Sequence, residues 1–175
     1  MHPLRAFDIA FVGLPAGVTE FVYTVDEEFF RHYPGSLIEQ ADVQVNLFFD
    51  KQPSFFLLTF RMTGTIRTNC HRCDAELDFP VSLNRAVVVK FDSHREDEAD
   101  DSHADVVYLR RSDSHLSVAQ MIYDFLSLSL SERSITCDQL PVPRTCDPAV
   151  TARLQLAAPV ADDHRWDELR KIKIR

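Results

Sequence analysis

Four cysteines, Cys70, Cys73, Cys137 and Cys146, are the side chains in this sequence best suited to chemistry. Cys70 and Cys73 are separated by His71 and Arg72, a spacing that lets two thiolates from one tight turn bind the same ion. Cys137 and Cys146 can supply the second pair of a tetrahedral, structural zinc site. Eight residues separate them, more than the usual interval of about two to four, so their loop would have to double back. A redox reading is also open: in Cys70-His-Arg-Cys73 an attacking thiolate would be stabilised by Arg72 and by His71 when protonated. Thioredoxin-like motifs sit at a helix N-terminus, however, whereas residues 74–81 read as strand and offer no helix dipole. In a third reading all four are unliganded thiols, some of them buried, because cysteine often serves as a small core residue.

Other constellations carry less. Asp-Ser-His occurs at residues 92–94, 101–103 and 113–115, superficially the ingredients of a triad or of a metal site. Adjacent residues seldom reach one another as a triad requires, and no GxSxG turn or HExxH helix supplies the geometry. The acids crowd a loop that would hold no carboxylate pair rigidly, so neither an enzyme nor a small-molecule substrate is expected.

Composition narrows the field further. The 175 residues suit one domain, or one domain with a tail, and 45% hydrophobic against 26% charged residues is the balance of a chain that buries a core. Its four glycines cannot be written into a GxxxxGKS or GxGxxG loop, which excludes nucleotide-binding classes built on those loops. A net charge of −8 repels a polyanion, so any nucleic-acid contact must come from a local basic patch. No apolar stretch approaches the roughly 18 residues of a spanning helix. The N-terminus also lacks the continuous apolar region of a signal peptide, so the expectation is a cytoplasmic protein without a membrane partner.

The elements that must position the cysteines are mostly strands. Residues 4–11 and 18–25 read as a hairpin, and an acidic start at Asp26 opens a short helix through Phe30. Residues 43–49 and 55–68 form a second hairpin around turn residues 50–53, and residues 77–91 a third extended region. The CxxC pair thus falls at the tip between two long strands. Seven acids against one arginine in residues 92–105 describe a mobile solvated loop, and residues 106–109 one more short strand. Ser117 reads as the N-cap of the main helix, with Gln120 as capping-box partner and Leu116 stapling onto Met121. Val118, Met121, Ile122, Phe125, Leu126 and Leu130 recur at helical spacing as a stripe for packing on the sheet. Residues 131–148 are irregular and proline-rich, and Asp163 can cap a short helix presenting Trp166 and Leu169. The expected architecture is α+β: a large antiparallel β-sheet built from hairpins, one main packed helix and a short C-terminal helix. Residues 1–150 would form a single domain and 151–175 a linker and basic tail.

Several motifs, in order along the chain, carry a resemblance. They are Phe11-Val-Gly-Leu14, the segment from Gly64 to Cys73 with its Cys-x-Arg-Cys centre, Val89-Lys-Phe91 before the acidic loop, Cys146-Asp-Pro148, and the run from Asp163 to Lys171. Together with the main helix these motifs resemble the YceD family of large-ribosomal-subunit rRNA accumulation proteins. Members typically have Leu-Pro after the helix and then a histidine. Here Leu130-Ser-Glu-Arg lacks the proline, and Cys137 falls about where the histidine is expected. If the family's histidine is a ligand, Cys137 replaces it.

The resemblance implies a cytoplasmic, non-catalytic factor supporting rRNA accumulation or large-subunit assembly by binding rRNA, a pre-large-subunit particle or a ribosomal protein. Candidate contacts are Arg67 and Arg72 beside the CxxC tip, with Arg165, Arg170, Lys171 and Lys173 of the tail, because arginine suits phosphate and stacked-base contacts. A zinc-stapled protein-interaction module unrelated to RNA, and a CxxC thiol oxidoreductase, are the alternatives.

Overall fold

Alternation of apolar and polar residues builds most of this protein. The structure, a computed structural model, describes residues 3–91, 106–131 and 135–156. In chain order its elements are β1 (Asp8–Ile9), β2 (Gly17–Val25), α1 (Glu27–Phe30), β3 (Gln40–Lys51), β4 (Phe55–Asn69), β5 (Glu76–Phe91), β6 (Val106–Leu109), β7 (Leu116–Ser117), α2 (Ala119–Ser131) and α3 (Pro148–Leu156). Strands β2 to β6 form a five-stranded sheet in sequence order, antiparallel except that β6 runs parallel to β5. The fold is α+β, with α2 as its main helix and α3 as a short helix near the C-terminal end of the described chain.

The period-two pattern sorts the two faces of the sheet. Val45, Leu47, Leu58, Phe60 and Met62 are fully buried on the inner face, while Gln44, Thr63 and Ser82 share a cross-strand row on the solvated face. Val118 and helix α2, through Ile122 and Leu126, cover the inner face, and Phe125 meets Phe60 at 5.4 Å between ring centroids. Each fully buried aliphatic or aromatic side chain of this kind contributes about 1.5–3 kcal/mol. Asp26 caps α1 as its sequence suggests, accepting the amides of Glu28 and Phe29 at 3.0 and 3.3 Å. The β3–β4 hairpin is also as expected, and β4 and β5 pair from Phe55↔Lys90 to Asn69↔Glu76. Gly64 is required within this sheet: a Cβ there would collide with the Asp42 carbonyl oxygen and lie 2.7 Å from Val43 Cα.

Three local expectations give way to packing. The N-terminal segment does not form a hairpin with β2: Pro3–Phe7 is a 3-10 turn, β1 pairs with β7, and β2 pairs along its whole length with β3. Phe7, Ile9 and Phe11 are buried, and Phe7 stacks on Tyr23 at 5.0 Å. A local hairpin would leave these side chains beside β2 instead of in the core. Ser117 is not the N-cap of α2, because its backbone is committed to β7 opposite Asp8. The helix begins at Ala119; Val118 accepts the amide of Ile122 at 3.1 Å, and Gln120 bonds Asp124 instead of closing a capping box. Finally, β6 is parallel to its neighbour, where an all-antiparallel sheet was expected. The acidic segment 92–105 and the Asp163-capped helix lie outside the described residues.

Candidate metal centre

The end of the β4–β5 hairpin builds one half of the site. Residues 70–75 close it with bonds from the Cys70 amide to the Ala75 carbonyl (2.9 Å) and from the Asp74 amide to the Cys70 carbonyl (2.8 Å). Asp74 takes a φ of 59°, a left-handed conformation that aspartate tolerates better than most residues, and the Asn69 side-chain amide donates to its carboxylate at 2.9 Å. This turn points both Cys70 and Cys73 to the same side, and the Arg72 amide lies 3.4 Å from the Cys70 sulfur.

The second half comes from the segment after α2. The His71 amide donates to the Ile135 carbonyl at 2.8 Å, fastening that segment to the tip. Cys137 opens a 3-10 turn, Cys137–Gln139, and the Arg144 amide donates back to the Cys137 carbonyl at 2.9 Å, so the chain doubles over as the wide cysteine spacing demands. Cys146 arrives just before Asp147, whose carboxylate accepts the Ala149 amide at 2.7 Å and starts α3 with Pro148 in its first turn.

All four sulfur atoms converge within 4.8 Å of one another. Cys70 Sγ is 3.8 Å from Cys146 Sγ, and Cys73 Sγ is 3.6 Å from Cys137 Sγ. These distances are far beyond a disulfide, but a tetrahedral ion with bonds of about 2.3 Å to sulfur holds its ligands about 3.8 Å apart. The cluster is therefore consistent with zinc binding. Cys70, Cys137 and Cys146 are buried, and Cys73 is the partly exposed member.

Backbone dipoles divide the four thiols. For Cys70, burial pushes the thiol up, but the amides of Arg72, Cys73 and Cys137 together outweigh it and bring the value down to about 6. The Asp147 and Ala75 amides lower Cys73. Burial raises Cys146, and raises Cys137 to about 12 with help from its thiol neighbours. Backbone amides thus shift two thiols toward the thiolate, while burial shifts the other two toward the protonated form, whose protons a divalent ion would displace. The Arg72 guanidinium lies 3.8 Å from Cys146 Sγ and 3.7 Å from the Asp138 carboxylate, where its positive charge opposes the negative charge of a four-thiolate centre. Asp138 is held low by the Thr136 hydroxyl first, with Arg72 assisting.

The other candidates fall elsewhere. Arg67 bonds Asp78 at 3.1 Å and lines a cleft of about 400 Å³ with Glu39 and Glu76, so its surroundings are acidic. A second depression, of about 380 Å³, lies over the tip between His71, Arg72 and Val150. Arg165, Arg170, Lys171 and Lys173 lie outside the described residues. In the triplet at 113–115, Ser114 Oγ meets His115 Nδ1 at 2.8 Å, but Asp113 accepts the Arg110 amide at 3.0 Å and orients no histidine. The other two triplets lie outside the described residues. Sequence reasoning had no signal for Ile135, Thr136 or Asp138, whose roles exist only because residues 135–147 fold back onto the tip.

The fold and site define a class: an α+β domain whose sheet ends in a cluster of four cysteines drawn from two distant segments. Residues 58–173 match the family described as Large ribosomal RNA subunit accumulation protein YceD, and the chain belongs to that family. Its membership implies a role in the accumulation of large-subunit ribosomal RNA. No curated protein and no solved structure matches the chain. Among the described residues no helix is long and apolar enough to cross a membrane.

Proposed function

We propose that this protein is a non-catalytic, zinc-stapled cytoplasmic factor that supports rRNA accumulation by binding a pre-large-subunit particle, through its RNA or through a ribosomal protein. The observation that carries the proposal is the family match over residues 58–173, which includes all four cysteines. Zinc held by Cys70, Cys73, Cys137 and Cys146 would serve as a staple. It would fix the residues 135–147 segment and the start of α3 to the β4–β5 tip, where the four sulfurs already lie within 4.8 Å of one another. Such an ion has no open position for a substrate when four thiolates surround it.

The working division is a domain over residues 1–150 followed by a linker and basic tail over 151–175, with α3 reaching across that boundary to Leu156. The partner contacts we assign are Arg72 and Arg67 at the tip end, and Arg165, Arg170, Lys171 and Lys173 in the tail. The test is sedimentation of lysates from growing cells. The protein should travel with pre-large-subunit particles and lose that association when residues 157–175 are deleted. Absence from those particles in growing cells would overturn the proposal. The oxidoreductase reading is disfavoured by β5, which begins at Glu76 directly after the tip and gives neither thiol a helix N-terminus.

A further inference from the structure

Strand β2 is an edge of the five-stranded sheet, hydrogen-bonded to β3 on one side only. Its nine residues stay in unbroken register with β3 from Gly17↔Lys51 to Val25↔Val43, with no bulge, no proline and no lysine among them. Among the described residues, no backbone or side-chain group bonds its outward N–H and C=O groups. Natural sheets protect such edges with bulges, prolines, charged side chains or short strands, and of these β2 has only the single charge of Glu20. Two of its solvent-facing side chains are instead apolar and bare: Val18 is 65% exposed and Val22 57% exposed.

Carboxylates outnumber cations around this edge. Glu20 lies on β2 between the two valines, Asp50 and Asp42 project from β3 on the same face, Glu28 follows the end of β2 in α1, and Asp8 lies near Tyr23. None of these five carboxylates is in an ion pair among the described residues. Two cations of β3 and β4 stand in register with β2: Lys51, opposite Gly17, is occupied with the carbonyls of Phe11, Val12 and Leu14, and Arg61, in the row of Val22 through Asn46, packs its guanidinium over the Phe48 ring at 4.9 Å. An RNA strand would meet repulsion here, and a second copy of the chain would bring the same acids to face their equivalents.

We infer that the β2 edge is a docking site for an extended, basic segment of a partner protein, which adds as a further strand with its Lys or Arg side chains among these acids and small apolar side chains over Val18 and Val22. The inference deepens the proposed assembly role by naming the chemistry of a protein partner, and it rests on that role for its setting.

The probe is a capped peptide of alternating lysine and valine, matched in length to the nine residues of β2. Its control is the same peptide with alternate amides N-methylated, which keeps the charge and removes strand pairing. The first peptide should bind and slow hydrogen exchange at Gly17–Val25, the control should not, and Val18→Lys with Val22→Lys should weaken binding at least about tenfold. Because both valines are exposed, the variant should melt like the parent protein, which separates loss of docking from loss of fold. Equal binding of the two peptides, or exchange at β2 unchanged by either, would overturn the inference. So would protection of β2 produced by single-stranded RNA, by self-association at rising concentration, or by residues 157–175 of this chain, tested by deleting them. Failure of the family-level role reads differently: the parent protein would be absent from pre-large-subunit particles even with its β2 edge competent for the peptide.

Discussion

The sulfur of Cys73 lies 3.6 Å from that of Cys137, although 64 positions of sequence separate them. Nothing local holds that separation; it follows from residues 135–147 returning to the hairpin tip. A bound zinc ion would make this long-range contact a major support of the fold, since structural zinc contributes on the order of 10 kcal/mol or more of apparent binding energy. Protein purified without chelators should carry about one zinc per chain, and Cys137→Ser should carry far less. Hydrogen exchange should then quicken in both the tip and residues 135–147. Elemental analysis finding no zinc in the parent protein, with four freely reactive thiols, would sink the metal site.

The metal-free protein should show a stability optimum set by its thiols. Cys70 is lowered from 9.0 to about 6, so its thiolate stabilises the fold above pH 9 and that contribution fades as pH falls through 6. Cys137 is raised from 9.0 to about 12, so its contribution is complete below pH 9 and is lost as pH rises through 12. Melting temperature after chelation should therefore rise between pH 6 and 9. The part of the alkaline decline that belongs to Cys137 is its difference from Cys137→Ser across pH 9 to 12. A flat difference curve would contradict the assignment. Tyr23 and Tyr33, each raised to about 12 first by burial, add to the alkaline decline in both proteins.

Gly64→Ala should destabilise the protein by about 3 kcal/mol, because the new methyl group meets β3 backbone and not a movable side chain. Gly13→Ala is the matched control: a Cβ there has nothing within 4 Å, and the change should stay within about 0.5 kcal/mol. Urea unfolding of the pair checks both, and equal midpoints would refute the close-approach argument.

Lys51→Met keeps much of the aliphatic stem but removes the ammonium that bonds the carbonyls of Phe11 and Leu14 at 2.9 and 2.8 Å. The loss should be about 2 kcal/mol, the range for hydrogen bonds to a charged group. The amides of residues 11–14 should exchange faster while those of β4 and β5 do not. Uniform faster exchange would mean that Lys51 acts on the whole sheet and not on this turn.

Much of the site was legible in the sequence, and the reason is local. Cys70 and Cys73 are close enough in sequence that a single turn delivers both, and the strand alternation on either side fixes that turn as a hairpin tip. Cys137 and Cys146 could be named as partners by residue type, but not placed, since their approach depends on His71 bonding Ile135 and Arg144 bonding Cys137. The start of α2 was misplaced by one residue because Ser117 carries a genuine capping preference that pairing with Asp8 overrides.

The sequence by itself determined the strands of the main sheet, β2 to β6, because a period of two with β-branched and aromatic residues suits only a pleated, half-buried surface; it did not determine β1 or β7. It also determined the short β3–β4 connection, the capped start of α1 and the chemistry available to four thiols. Only the tertiary structure decided which strands pair across long intervals: β1 with β7, β2 with β3, and β6 parallel to β5. It likewise decided that β2 is left as an edge and that four sulfur atoms meet within 4.8 Å. A strand's own residues specify its face and its period, whereas its neighbour is selected by the shared burial of side chains far apart in sequence, and no local pattern encodes that choice.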